Sequence, residues 1–441
     1  MSDIIDPQYY PFFLVFFAIL MPLLLSFRMF PVIIFLVHTK NLMDEPVDRS
    51  MHTLKTPTLG GLGIFIAFSL PIIVLVLGSN FSHLDLIKLL SLISAAILLV
   101  FAGIKDDLVG LAPKKKLMVQ AFAAIIVILM TDVRIRSLHG LFGLGELPFL
   151  VSVCLTLFAF LFLINAVNLI DGIDGLAGTF GIITSLVFGL YYIMNAKYLM
   201  VLVSFVLIGA LLGFLRYNCS KERKIFMGDS GSMFLGFLLA YQAICFLNFN
   251  NVPEPIFKVA NAPILFLAIL SFPIMDTIRV FCIRIAQKRS PFSADRNHIH
   301  HRLLDLGFGH FKSTVLISLA TILVIACALV MAKLSLSVQL VLLIAVVLLV
   351  FLSPWYLVGK KKFRETLLDT ALKSSTGSKE VYEGIEGSLS DEQFFTMLEE
   401  HNIDGYDQEA EDLKIKEGKA SYMDKLFAKR LAVFRGFQKW E

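Results

Sequence analysis

The chain has 441 residues, 57% of them hydrophobic and only 17% charged. A soluble domain is nearer half apolar and a quarter charged, so the composition excludes an ordinary soluble protein and points to an all-α polytopic membrane protein. The net charge of +4 informs only through its placement along the chain, and no nucleic-acid partner is expected.

Apolar runs long enough to cross a bilayer as helices recur near residues 9–30, 58–78, 86–104, 117–131, 148–165, 176–194, 198–215, 232–248, 260–283, 313–332 and 336–358, about eleven in all. A barrel would instead show short alternating strands. The fourth run is the least apolar at its start, where Lys114, Lys115 and Lys116 crowd together. Within the first run, the apolar stretch Phe12–Leu25 is followed by Arg28 and a basic segment instead of a small-residue cleavage site, so it reads as a retained span. The five cysteines are scattered and mostly lie inside apolar runs, which argues against a disulfide framework.

Basic residues fall on alternate connections. Residues 31–57, 105–116, 216–231 and 284–312 carry most of them, whereas the intervening connections are poor in Lys and Arg. The positive-inside rule places the basic set in the cytoplasm, with the N-terminus outside and the C-terminus inside. Residues 1–358 then form a transmembrane domain and 359–441 a charged cytoplasmic tail. Two tail segments, 392–400 and 422–437, have the periodicity of short amphipathic helices. The second is basic enough for an anionic membrane surface, although a plain solvated tail accounts for it equally well.

All the polar clusters that stand out lie in connections that this topology places in the cytoplasm: DRSMHTLKTPTLGG (48–61, with His52), GIKDDLVGLAPKKKLMVQ (103–120), NLIDGIDGLAG (168–178), FMGDSGSMFLG (226–236) and SADRNHIHHRLLD (293–305). Adjacent carboxylates such as Asp106 and Asp107 repel and need a cation or a raised pKa. A hard divalent ion bridging to phosphate would satisfy them, with lysines behind as point charges; a solvated acidic helix end is the simpler explanation. Asn168, Asp171 and Asp174 are spaced by three and would share a helix face. Ionisable groups at membrane depth are functional by default. Against this stands Asp174 as an N-cap of the helix expected from Leu176, which explains one carboxylate and not the other two polar residues. Asp229 and its neighbours open a helix whose amides would cradle phosphate, or else they merely cap it. His298, His300 and His301 beside Arg296 and Arg302 suit phosphate binding better than zinc, because nothing nearby completes a ligand set.

Taken together, these motifs resemble those of the polyprenyl-phosphate N-acetylhexosamine-1-phosphate transferases, a group related to the phospho-N-acetylmuramoyl-pentapeptide translocase. The resemblance spans roughly residues 9–357, with the motifs in family order. It implies eleven transmembrane helices in the bacterial plasma membrane, usually as a homodimer, with the active site on the cytoplasmic face. It also implies transfer of N-acetylglucosamine-1-phosphate, or a related sugar-1-phosphate, from a UDP-sugar to undecaprenyl phosphate, with release of UMP. Mg2+ is the implied cofactor, with Mn2+ as a substitute. Asp106 and Asp107 carry the DD motif, and Asn168, Asp171 and Asp174 the NxxDGxDG motif. Asp229 is the implied metal ligand, together with Asp106. Asn218 and Phe226 are implied to hold the uracil, while Lys116 and the histidines contact phosphates. The run DRNHIHHRLLD departs from the muramoyl-pentapeptide pattern, which favours a hexosamine donor. A pentapeptide transferase and a secondary transporter are the alternatives; no two-fold internal repeat supports the latter.

Overall fold

The computed structural model describes residues 11–40, 43–44, 56–252, 254–290 and 298–354. Helices dominate: α1 (Pro11–Thr39), α2 (Gly60–Leu77), α3 (His83–Val109), α4 (Pro113–Thr131), α5 (Phe149–Ile170), α6 (Leu176–Met194), α7 (Tyr198–Asn218), α8 (Gly228–Asn250), α9 (Ala262–Ile269), α10 (Ser271–Ala286), α11 (Ile299–Asp305), α12 (His310–Val330) and α13 (Leu336–Pro354). Among the described residues, nine helices are long and apolar enough to span a membrane. The pair α9–α10, bent by 68°, makes a tenth if it is one span. The chain is therefore a polytopic membrane protein built of helices. One departure from an all-helical reading is a two-residue antiparallel ladder, β1 (Met43–Asp44) with β2 (Thr56–Pro57), which precedes α2. The two tail segments expected to be amphipathic helices lie outside the described residues.

The bend between α9 and α10 has a local cause. Pro273 sits in the first turn of α10; it has no N–H to give to the carbonyl of Ile269, and its ring would clash there. The helix therefore breaks at Leu270. The span expected over 260–283 is thus this bent pair.

Two helices occupy the middle. Almost every residue of α7 and α8 is buried, while α1 and α13 keep broad apolar faces exposed, as suits helices facing lipid. Lipid tails are as apolar as side chains, so close packing rather than the hydrophobic effect must join such helices. Small residues permit it. Gly209 and Gly213 of α7, spaced as GxxxG, meet Pro22 and Ser26 of α1; an added Cβ would lie 2.4 Å from the Ile19 carbonyl and 2.2 Å from Ser26 Cβ. Buried polar pairs add directional bonds between helices. Asn165 of α5 donates to Gln120 of α4 at 2.7 Å, and Gln242 of α8 accepts from Ser204 of α7 at 2.8 Å.

The closest seams lie at the end of the bundle where α8 begins. A Cβ on Gly103 of α3 would fall 2.2 Å from Ser230 Cα, and one on Gly61 of α2 would fall 2.0 Å from Gly231 N. The first amides of α2 also donate to this region, Gly60 to the Phe226 carbonyl at 3.0 Å and Gly61 to that of Met227 at 2.8 Å. Because the opposing atoms are backbone, they have nowhere to go. Gly103→Ala is expected to lower stability by about 1–3 kcal/mol, read as a drop in melting temperature of the detergent-solubilised protein. Gly78→Ala, where the new Cβ meets nothing nearer than 3.4 Å, leaves the melting temperature unchanged.

Candidate active site

Several helix ends converge where α8 starts. The last turn of α3 delivers Asp106 and Asp107. Asp107 reaches across to α8: its Oδ1 accepts the Asp229 N–H at 2.7 Å, and its Oδ2 accepts the Ser230 N–H at 3.2 Å and the Ser230 hydroxyl at 2.9 Å. It thereby supplies, from another helix, the N-cap that α8 lacks locally. Gly228, at φ +70°, makes the turn that opens the helix; an added Cβ there would meet the Thr58 carbonyl at 2.3 Å and Asp107 Oδ2 at 2.6 Å. The Asp229 and Ser230 amides, expected to cradle phosphate, are thus occupied by Asp107.

Asp106 points elsewhere. Its Oδ1 accepts the Leu111 N–H at 2.7 Å and its Oδ2 pairs with Lys116 Nζ at 2.9 Å. The same ammonium bonds Asp229 Oδ1 at 2.8 Å. Asn168 also donates to Asp229 Oδ1, and to Ser232 Oγ at 2.7 Å. Lys116 is thus a bridge between two carboxylates of different helices.

The NxxDGxDG segment does not form the single helical face its spacing suggests. Helix α5 ends at Ile170, and Asp171 and Asp174 lie in the turn before α6. Gly175, at φ +81°, begins α6 with no side-chain cap, so Asp174 is not the N-cap either. Asp174 instead accepts from Lys224 Nζ at 2.7 Å and pairs with His310 Nδ1 at 2.9 Å, while its carbonyl accepts from Thr314. Asn218 fixes the turn by accepting the Gly175 N–H at 2.7 Å and donating to the Ile225 carbonyl at 2.9 Å. Each end of its amide thus bonds backbone, which ties the turn to the end of α7.

These segments enclose a cavity of about 430 Å³, within the range of small-molecule sites. Asp107, Asn168, Asp171, Asp174 and Asp229 line it, as do Asn218, Phe226 and His301. Lys224 and His310 also line it, and Lys224 Nζ stands 5.2 Å from the centre of the Phe226 ring. Asp106, Lys116, His298, His300 and Arg302 stand behind the lining. His298 pairs with Asp276 at 2.7 Å, and Arg302 pairs with Asp305 at 2.9 Å. His300 is buried, with neither ring nitrogen hydrogen-bonded, and packs on Gly172. Of the three histidines expected at phosphate, only His301 lines the cavity, while His298 and His300 are buried behind it. His52 and Arg296 lie outside the described residues.

Charge in the cavity is unevenly balanced. Burial raises the Asp174 carboxyl, but the bonds from His310 and Lys224 outweigh it and hold the pKa below the usual carboxylate value. Asp171 has no such partner among the described residues. Burial, followed by the charges of Asp229, Asp107 and Asp174, pushes its pKa up to about 8. Burial and the neighbouring histidines push His300 down to about 3, so it is neutral at physiological pH. An unpaired carboxylate facing three others is the donor chemistry that a hard divalent cation fits. Among the described residues no three His, Cys, Asp or Glu side chains are gathered as a ready-made metal site.

Sequence reasoning missed three residues here. Lys224 belongs to a basic connection with no motif of its own, and His310 stands outside every motif. Asp276 offered a usable signal, being a carboxylate inside an apolar run.

Two outcomes follow. Asp107→Ala is expected to cost about 1–2 kcal/mol through loss of the α8 cap, whereas Asp107→Asn, which keeps one acceptor, costs less; thermal unfolding distinguishes them. For Asp171 the folded-state pKa lies above the unfolded one, so its favourable contribution is full below about pH 4 and is lost as pH rises through about 8. In chelator, Asp171→Asn therefore melts above the wild type at pH 9, and the gap narrows as pH falls toward 5.

Residues 89–247 match the family model described as glycosyl transferase family 4. The chain is 31% identical over 323 residues to the undecaprenyl-phosphate alpha-N-acetylglucosaminyl 1-phosphate transferase of Yersinia pestis, covering 72% of this chain and 84% of that one. It is 30% identical over 285 residues to the protein of the same name from Salmonella typhi, covering 63% and 73%. The probable undecaprenyl-phosphate N-acetylglucosaminyl 1-phosphate transferase of Bacillus subtilis is 30% identical over 281 residues, covering 63% and 74%. With the carboxylate-lined cavity built largely from helices inside the matched segment, the chain belongs to glycosyl transferase family 4.

Proposed function

We propose that this protein transfers N-acetylglucosamine-1-phosphate, or a closely related sugar-1-phosphate, from a UDP-sugar to undecaprenyl phosphate, releasing UMP at the cytoplasmic face of a bacterial plasma membrane. One observation carries the reading. Carboxylates from α3, α8 and the α5–α6 turn, which are far apart in sequence, face one cavity that also holds a lysine and an aromatic ring. The names of the relatives supply the substrate class. The orientation rests on charge: the connections at this end of the bundle are the basic ones. Counting α4 and the bent pair as spans then gives eleven crossings.

A diphosphate brought among four carboxylates needs counter-charge. Magnesium would be held by Asp229 together with Asp171, which lines the cavity, in place of the expected Asp106, which is paired with Lys116 behind the lining; it would supply the positive charge that offsets the diphosphate. The protein's own groups do the positioning. Lys116 and Asn168 fix Asp229 from one side. Lys224, anchored by Asp174, presents a positive charge beside the Phe226 ring, which suits a base stacked on that ring with its phosphates near the ammonium. Asp107 keeps the start of α8, and hence Asp229, in place. The acceptor is a phosphate monoester with a second pKa near ~6, mostly dianionic at neutral pH. Its oxygen attacks the β-phosphorus while the bond to UMP breaks. Little base assistance is required, so catalysis is assigned to orientation and electrostatics.

The purified protein, given undecaprenyl phosphate and a panel of UDP-sugars, is expected to release UMP with UDP-N-acetylglucosamine and to exchange labelled UMP into that donor only with a divalent cation. Asp229→Asn abolishes both while the protein stays folded in the membrane. A transporter would show no exchange, and near-normal turnover by Asp229→Asn would remove the metal assignment.

A further inference from the structure

The histidine turn is the part of the site whose position is hardest to explain from its own sequence. Its three rings sit in different places. His301 lines the cavity, while His298 and His300 are 5% and 1% exposed. Something must hold this short helix, α11, against the α5–α6 turn, because seven residues make too few backbone bonds to be stable alone.

Asp276 of α10 is the group that does so. It is fully buried. Its Oδ2 pairs with His298 Nδ1 at 2.7 Å, and its Oδ1 accepts the backbone N–H of Ile299 at 3.0 Å. One carboxylate thus holds both the side chain preceding α11 and the first amide of that helix. Arg279, one turn further along α10, donates to the same carboxylate at 3.1 Å and offsets the cost of burying it. A carboxylate only accepts, so the proton of His298 resides on Nδ1.

From His298 the contacts run to the cavity without a gap. The His298 ring lies parallel to that of His300, at 5.6 Å and 6°. His300 fills the space beside Gly172, where an added Cβ would fall 2.3 Å from His300 Nε2. Gly172 lines the cavity and directly follows Asp171. On its other side His300 lies 4.3 Å from His301.

We infer that Asp276 is a positioning residue for the reaction: through His298 and His300 it seats the histidine turn on Gly172, and so sets the places of His301 and of the Asp171 turn in the cavity. The inference rests on the proposed reaction at this cavity. Asp276 does not touch the cavity, so its action is indirect. Carboxylates that orient metal-ligating histidines commonly matter by about tenfold to a hundredfold, and a loss of that order is the expectation here.

The test uses the full-length protein in detergent. Asp276→Asn preserves size and the acceptor for Ile299 but cannot accept from His298. It is expected to lower kcat by about tenfold to a hundredfold, with KM for UDP-N-acetylglucosamine and melting temperature unchanged. His298→Gln gives a similar loss, and the double variant is no worse than either single one, since both break the same link. Gly172→Ala, which evicts His300 from the other side, reproduces the loss. Hydrogen exchange of the backbone from residue 299 to 306 quickens in Asp276→Asn. Wild-type kcat in both single variants, additive losses, or losses that follow melting temperature would overturn the inference. If the wild type itself releases no UMP, the proposed reaction falls instead. Exchange still decides the docking, because unchanged protection in Asp276→Asn would overturn it independently.

Discussion

The architecture of this end of the bundle depends on one carboxylate, that of Asp107, placed against the first amides of α8. A helix begins with four N–H groups that lack partners. Inside a protein surrounded by lipid, leaving them unpaired is expensive. Asp107 answers two of them and does so from α3, so the cap is also a clamp between helices. The clamp is possible only because Gly103 and Gly61 let backbones approach to contact. Asp229 inherits its position from this joint, as do the residues that bond to Asp229.

Around the joint, charge is arranged in two neutralised arms with one exception between them. In one arm Lys116 bridges Asp106 and Asp229. In the other, Lys224 and His310 compensate Asp174. Asp171 belongs to neither, and its raised pKa is the electrostatic mark of that isolation. Pairs of acids pushed apart in pKa by their surroundings often mark functional chemistry. Here the two carboxylates belong to one turn, separated by Gly172 and Ile173, and differ because only Asp174 has cations within bonding distance.

The sequence motifs proved informative to different degrees. The clustering of acids, lysines and histidines in alternate connections was visible, because the side of a membrane is decided by local charge. That Asp107 would cap a distant helix was not visible, because capping across 122 residues has no local signature. The three-residue spacing of Asn168, Asp171 and Asp174 suggested a helix face, yet α5 ends at Ile170 and α6 begins after Gly175, which leaves both carboxylates in the turn between. His298, His300 and His301 read as equivalent, but one is tied to Asp276, one is packed on glycine and one faces the cavity. Asp276 lay within an apolar run that Pro273 breaks locally, but its pairing with His298 is a tertiary event.

What the sequence alone determined is therefore the membrane-spanning helices, the end of the bundle that carries the chemistry, and the kinds of groups gathered there. These follow from hydropathy and charge, which act over a single helix or loop. Only the tertiary structure decided which carboxylate is a cap, which is neutralised and which is left exposed to its neighbours. Those distinctions come from bonds of about 3 Å between helices remote in the chain, and no local property of a segment encodes the partner it will meet.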